Sequence, residues 1–168
     1  MKLLFLGDSL TEFHDWQARF PTHTAINAGR AGETVAGLLA NLPPLLCQYP
    51  TPDRVFIMIG TNNLLMEDYA FLPDYERILA CLTPVIAPER ITITGLPPFV
   101  AHHLAPSAIP CMNAGLLKLS MEKKTAFLDL FTAFATEAET AAACFTDDGV
   151  HLSDLGYAIW SARLASNL

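Results

Sequence analysis

Five apolar runs punctuate the chain, and each is continuous where a half-exposed strand would alternate. They are KLLFLG (2–7), HTAINA (23–28), DRVFIMIG (53–60), RITITGL (90–96) and TAFLDL (125–130). Runs of this length and character predict parallel strands covered on both faces. Between them the apolar period becomes helical. Val35, Leu38, Leu39, Leu42, Leu45 and Leu46 keep one face, which Pro43-Pro44 should kink or split. Tyr75, Ile78, Leu79, Leu82, Val85 and Ile86 form a second stripe that stops near Pro88. Leu116, Leu117 and Met121 belong to a third. Ser153 is a favourable N-cap for a last helix through Leu155, Ile159, Ala162 and Arg163.

Strand and helix alternating in this way imply βαβ units with right-handed crossovers. The expected fold class is α/β, a three-layer α/β/α sandwich around a parallel sheet of five strands. No internal repeat, low-complexity stretch or linker divides the chain, so one domain spanning 1–168 is expected. The least regular stretch is PPFVAHHLAPSAIPCM (97–112), whose four prolines predict a long loop.

Composition narrows the partners. The chain of 168 residues is 52% hydrophobic and 16% charged, which suits a packed globule. Its net charge of −7 argues against nucleic acid and anionic membrane surfaces, which need basic patches. Lys123-Lys124 is the one close basic pair. Cys47, Cys81, Cys111 and Cys144 stand singly, without the spacing of a zinc site or a disulfide framework. Free, mostly buried thiols suit a reducing compartment. With no leader-like segment and no run of transmembrane length, the expectation is a cytoplasmic, non-membrane protein.

In open parallel sheets, ligands bind beyond the carboxyl ends of the strands. The unusual residues collect there: Gly7-Asp8-Ser9, NAGRAGET (27–34), GTNN (60–63), Leu96-Pro97-Pro98 and, after a further helix, DDGVHLSD (147–154). Taken singly, each has an ordinary reading. Ser9 can be a turn or cap residue, Gly29 and Gly32 turn glycines, Asn62 and Asn63 an Asx turn, His151 a surface histidine. GRAGET lacks the spacing of a phosphate loop. Taken together they make a working set. A serine hydroxyl needs a base to become a nucleophile, histidine is the natural base near neutral pH, and a carboxylate fixes its tautomer. Asp148 and His151 supply both from one turn. The N–H groups of Gly32 and Ser9 and the side-chain amide of Asn62 can hold an oxyanion.

The stretches GDSL (7–10), NAGRAGET (27–34), GTNN (60–63) and DGVHLSDLGY (148–157) resemble the four blocks of the SGNH hydrolase (GDSL lipase/esterase) superfamily, in order and across nearly the whole chain. The resemblance implies a flavodoxin-like five-stranded sandwich and a serine esterase. It makes Ser9 the nucleophile, His151 the base, Asp148 its orienter, and Gly32 and Asn62 the oxyanion donors. Many members carry aspartate where this chain has Asn63, so loop bracing should differ while the chemistry stands. Asp147 lies four residues before His151, but the family spacing selects Asp148 and leaves Asp147 an ordinary loop carboxylate.

No cofactor or metal is implied. The His102-His103 pair lacks a third ligand, and with Phe99, Val100 and Leu104 it is expected to line a substrate pocket. The expected partner is a small-molecule ester, with short acyl chains first because the chain has no inserted lid. Sugar O-acetyl groups and acyl thioesters use the same machinery. A non-catalytic acyl-ligand binding module would not need the serine set, and a nucleotide or flavin binder would not place acids in its first loop. A monomer is expected.

Overall fold

The computed structural model describes residues 1–166 and 168. Five strands form one parallel sheet in the order β2-β1-β3-β4-β5. They are β1 (Lys2–Gly7), β2 (Thr24–Gly29), β3 (Arg54–Met58), β4 (Ile91–Thr94) and β5 (Ala126–Leu128). The helices are α1 (Ser9–Glu12), α2 (Trp16–Arg19), α3 (Val35–Gln48), α4 (Thr61–Leu65), α5 (Leu72–Leu82), α6 (Ala108–Lys123), α7 (Leu130–Glu137) and α8 (Asp154–Ala165). All five predicted strands are present, each ending within a few residues of its expected bounds.

The sheet centre behaves as its sequence requires. Leu3, Leu4, Phe5 and Leu6 are at most 1% exposed, because helices cover both faces of β1. α3 packs against α5 and α5 against α6, while α7 packs against α8. On the α2 and α8 side, Phe5 stacks on Trp16 at 4.3 Å, and Trp16 meets Trp160 edge-on at 4.8 Å. The edges differ from expectation. β2 and β5 are only partly buried, because an edge strand near the rim of a sheet is not sandwiched along its length.

Four helical expectations are also corrected. α3 runs unbroken through Pro43 and Pro44. α5 ends at Leu82, so Val85 lies in the following turn and is exposed, while Ile86 still packs on the core. α6 buries Ile109, Leu116 and Leu119 and exposes Leu117 and Met121, a rotation of the face from the expected one. It starts at Ala108, inside the expected loop 97–112. Pro110 is tolerated there because a first-turn N–H has no intrahelical acceptor. In α8, Ser153 caps as expected, accepting from the Gly156 N–H, but Leu155 is exposed.

The cysteines depart from expectation as well. All four are free, but Cys47, Cys81 and Cys111 are exposed and only Cys144 is buried. No helix among the described residues is long and apolar enough to cross a membrane.

The sheet order makes β1 the turning point of the topology, with β2 on one side and β3 on the other. Such a point leaves a crevice at the carboxyl ends of the strands. Gly7 is in register with Gly29 and with Met58, so the loops after β1, β2 and β3 leave the sheet at one level.

Candidate active site

Ser9 opens α1 directly beyond β1, where the chain must turn sharply. Gly7 allows the turn: a Cβ there would lie 2.1 Å from Thr11 Oγ1 and 2.3 Å from Met58 O. Asp8 caps the helix by accepting the Leu10 N–H at 3.0 Å. Its carboxyl is fully buried, and burial pushes it up to about 7 against the opposing pull of the Leu10 amide. Thr61 is near enough to favour the charged form, yet neither Asp8 Oδ2 nor Thr61 Oγ1 completes a hydrogen bond.

Ser9 Oγ lies 3.1 Å from His151 Nε2, across a separation of 142 positions in the chain. His151 Nδ1 lies 2.5 Å from Asp148 Oδ2. The other carboxylate oxygen of Asp148 accepts three hydrogen bonds, each of 2.9 Å, from Thr146 Oγ1, the Val150 N–H and the His151 N–H. The His151 ring first, and the two amides next, hold the Asp148 carboxyl well below the usual carboxylate range. Gly149, with φ of 72°, gives the loop its turn between carboxylate and histidine. The loop is closed by the Thr146 N–H donating to His151 O at 2.8 Å. Tyr157 ties α8 to the serine helix by donating its hydroxyl to Leu10 O at 2.9 Å. Phe13 stands over His151 with ring centroids 5.4 Å apart and is 59% exposed.

The loop carrying Gly32 is fastened to the same helix. The Arg30 N–H donates to Gly7 O at 3.0 Å, and the Ala31 N–H to Glu12 Oε2 at 2.7 Å. Asn27 accepts from the Gly29 N–H and donates Nδ2 to the carbonyls of Thr11, Glu12 and His14. Gly32 has φ of 76°, a conformation glycine adopts without strain. Asn62 lies on α4 and donates Nδ2 to Glu33 O at 2.8 Å. One amide proton is therefore engaged within the protein, and Nδ2 carries a second.

The structure thus joins Ser9, His151 and Asp148 by direct hydrogen bonds, and ties the Gly32 loop to Asn62 through Glu33. Asp147 makes no hydrogen bond to His151. His103 Nε2 lies 3.1 Å from Leu65 O, which fastens the 97–107 segment to the end of α4. No cluster of metal-ligating side chains occurs among the described residues.

Sequence reasoning gives no role to Glu12, Asn27 or Thr146. An Asx-turn signal at Asn27 is readable; the longer reaches to other loops are not. Two cavities flank the site. One of about 340 Å³ is apolar, lined by Phe99, Val100, Leu104, Ile109 and Phe131. The Val100 N–H donates to Gly149 O at 2.9 Å, so its wall abuts the His151 loop. The other, of about 330 Å³, lies behind the Gly32 loop between Arg30, Leu38, Asn41 and Gln48.

A serine hydroxyl bonded to an imidazole whose far nitrogen faces a carboxylate can pass its proton to the ring and attack an acyl carbon. The comparisons with known proteins bear on the fold and the family. A Streptococcus pneumonia protein described as a platelet activating factor is 26% identical, with a TM-score of 0.85 over 98% of this chain and 82% of its own. An acetyl xylan esterase from Geobacillus stearothermophilus, Axe2-W215I, shares the fold at 20% identity, with a TM-score of 0.79 over 99% of this chain and 93% of its own. A lipase/acylhydrolase from Enterococcus faecalis does so at 20% identity, with a TM-score of 0.82 over 99% and 94%. No curated protein matches the chain. The GDSL-like Lipase/Acylhydrolase family matches residues 5–159, from the first strand into the last helix. With that span of the fold and the serine site inside it, this chain belongs to the GDSL-like lipase/acylhydrolase family of hydrolases that act on ester bonds.

Proposed function

We propose that the protein is a serine esterase in which Ser9, His151 and Asp148 form the catalytic triad and Gly32, Asn62 and the Ser9 N–H hold the oxyanion. The observation that carries this reading is the continuous chain of contacts from Ser9 Oγ through His151 to Asp148, at 3.1 and 2.5 Å. Ser9 attacks an ester carbonyl as His151 Nε2 takes its proton. Developing negative charge on the carbonyl oxygen is met by preorganised N–H donors, which act before the reaction needs them. His151 then protonates the leaving alcohol, leaving an acyl group on Ser9. Water attacks the acyl-enzyme with His151 again as base, and Ser9 is released with the acid.

The substrate we infer is a small ester with a short acyl chain, held against the apolar wall of Phe99, Val100 and Leu104. A sugar O-acetyl group is the second reading, favoured by the fold shared with Axe2, described as an acetyl xylan esterase. An acyl thioester is compatible with the same residues. We assign the protein to the cytoplasm as a single-domain monomer.

The test is hydrolysis of p-nitrophenyl esters from acetyl to dodecanoyl by wild type and Ser9→Ala, with fluorophosphonate labelling beside it. Turnover and labelling that vanish together in the variant support the reading. A folded wild type that neither turns over an ester nor is labelled supports a binding module in its place.

A further inference from the structure

Two neighbouring asparagines at the head of α4 grip the Gly32 loop. Asn62 holds Glu33 O, and Asn63 Oδ1 accepts the N–H of Val35 at 3.0 Å. The two bonds bracket Thr34, and Gly32 stands next to the first of them. Asn63 is 2% exposed, and the second end of its amide is also used. Its Nδ2 donates to Asp68 Oδ2 at 2.7 Å. Asp68 is fastened back on the same helix: its N–H donates to Asn63 O at 2.8 Å. Its Oδ1 accepts the Ala70 N–H at 2.9 Å. The chain reaches this position through Glu67, whose φ of 58° is left-handed. Position 63 must therefore accept on one side and donate on the other, and asparagine does both.

We propose that Asn63 and Asp68 are a positioning pair that sets the Gly32 N–H against the Asn62 amide, and that the pair needs one amide and one carboxylate, in either order. The inference rests on the reading of Gly32 and Asn62 as oxyanion donors. An aspartate at 63 keeps the bond from Val35 but turns a carboxylate oxygen toward Asp68 Oδ2 at the spacing of a hydrogen bond. Two carboxylates so placed share one proton or move apart, and moving apart shifts α4 against the loop. The other charges on these elements do not relieve the pair. Glu67 adds negative charge. Glu33 Oε2 accepts from Asn41, and Arg30 Nη1 lies 3.9 Å from it. Exchanging the two side chains restores every bond. The carboxylate then at position 63 accepts from the Val35 N–H and from the amide at position 68, whose own oxygen accepts the Ala70 N–H.

The experiment compares wild type, N63D, N63D/D68N and S9A on p-nitrophenyl acetate from about pH 5.5 to 9, with the rate of fluorophosphonate labelling of Ser9 read in parallel. The expected result for N63D near pH 8 is a kcat lowered about tenfold or more with KM within about twofold, because the donors act on the transition state. Its deficit against wild type should narrow toward acid pH, where the pair shares a proton. N63D/D68N should recover kcat and the wild-type pH profile. An N63D enzyme that matches wild type across the range overturns the proposal. So does a loss confined to KM, or a folded N63D/D68N that fails to recover. If N63D does not fold, the double variant alone decides by the same criterion. A wild type that is neither active nor labelled, like S9A, removes the underlying site assignment and this inference with it; an active wild type confines any failure to the pair.

Discussion

Asp148 grips His151 twice, taking the ring Nδ1 on one carboxylate oxygen at 2.5 Å and the backbone N–H of the same residue on the other at 2.9 Å. The oxygen that holds the backbone also holds Val150 and Thr146, so the carboxylate cannot rotate without losing three bonds. This makes Asp148→Asn informative. Asparagine keeps its single oxygen on those three donors and turns its NH₂ toward Nδ1. That fixes the ring with its proton on Nε2, where it can no longer accept from Ser9. The expected loss is about 10³–10⁴-fold in kcat with the fold intact, checked by ester kinetics and circular dichroism.

Asn62→Ala should lower kcat about 10²–10³-fold with little change in KM, as loss of one oxyanion donor does. Because Asn62 also holds Glu33 O, the variant should lose about 1 kcal/mol of stability in urea melts. Activity equal to wild type would remove Asn62 from the oxyanion site.

Asp8 should make stability depend on pH in an unusual sense for an acid. Its carboxyl is raised from 3.8 to about 7 by burial, so between those values the folded protein binds a proton that the unfolded chain does not. Stability from this group is present below about 4 and falls as pH rises toward about 7, by roughly 4 kcal/mol at most. His14, whose ring burial lowers, acts in the opposite sense just below its usual value. The depressed Asp148 acts lower still, losing stability as pH falls below the usual carboxylate range. Subtracting Asp8→Asn from wild type isolates Asp8. Denaturant midpoints at a series of pH values should diverge from the variant's on the alkaline side; parallel curves would show Asp8 charged in the folded protein.

Leu104→Trp should shorten the acyl preference. The cavity it shares with Phe99 and Ile109 is about 340 Å³. Filling it should leave p-nitrophenyl acetate unaffected and cut kcat/KM for octanoate roughly fifteenfold, the worth of two buried methylenes at about 0.8 kcal/mol each. An unchanged chain-length profile would place the acyl group elsewhere.

Much of this arrangement is legible before folding. The continuous apolar runs mark the strands because a doubly covered strand has no polar face to show. The four motif blocks bring out Ser9, Gly32, Asn62, Asp148 and His151 together. What stays hidden is set by neighbours distant in sequence. The partial exposure of β2 follows from its place at the sheet edge, which no local pattern records. The face of α6 misleads because Leu117 and Met121 look like core residues, yet they point away from the sheet once Ile109 and Leu116 are buried. α3 continues through Pro43-Pro44 because packing of Leu38 and Leu42 outweighs the lost backbone bonds. Asp8 resembles an ordinary cap, and only three-dimensional burial makes it a raised acid. Asn63 looks like a mild departure from aspartate; its link to Asp68 depends on the left-handed turn at Glu67, which composition does not announce.

The contact between Ser9 and His151 spans 142 positions, and Tyr157 reaches back to Leu10 across 147. A chain that ends before Asp148 therefore has Ser9 without the His151 and Asp148 contacts that the proposed triad needs. Protein synthesis runs from the serine toward the histidine, so under the proposed triad the nascent chain has no activated serine until its last helix can dock. The order of the blocks along the chain thus places completion of the proposed triad after the five strands of the sheet beneath it.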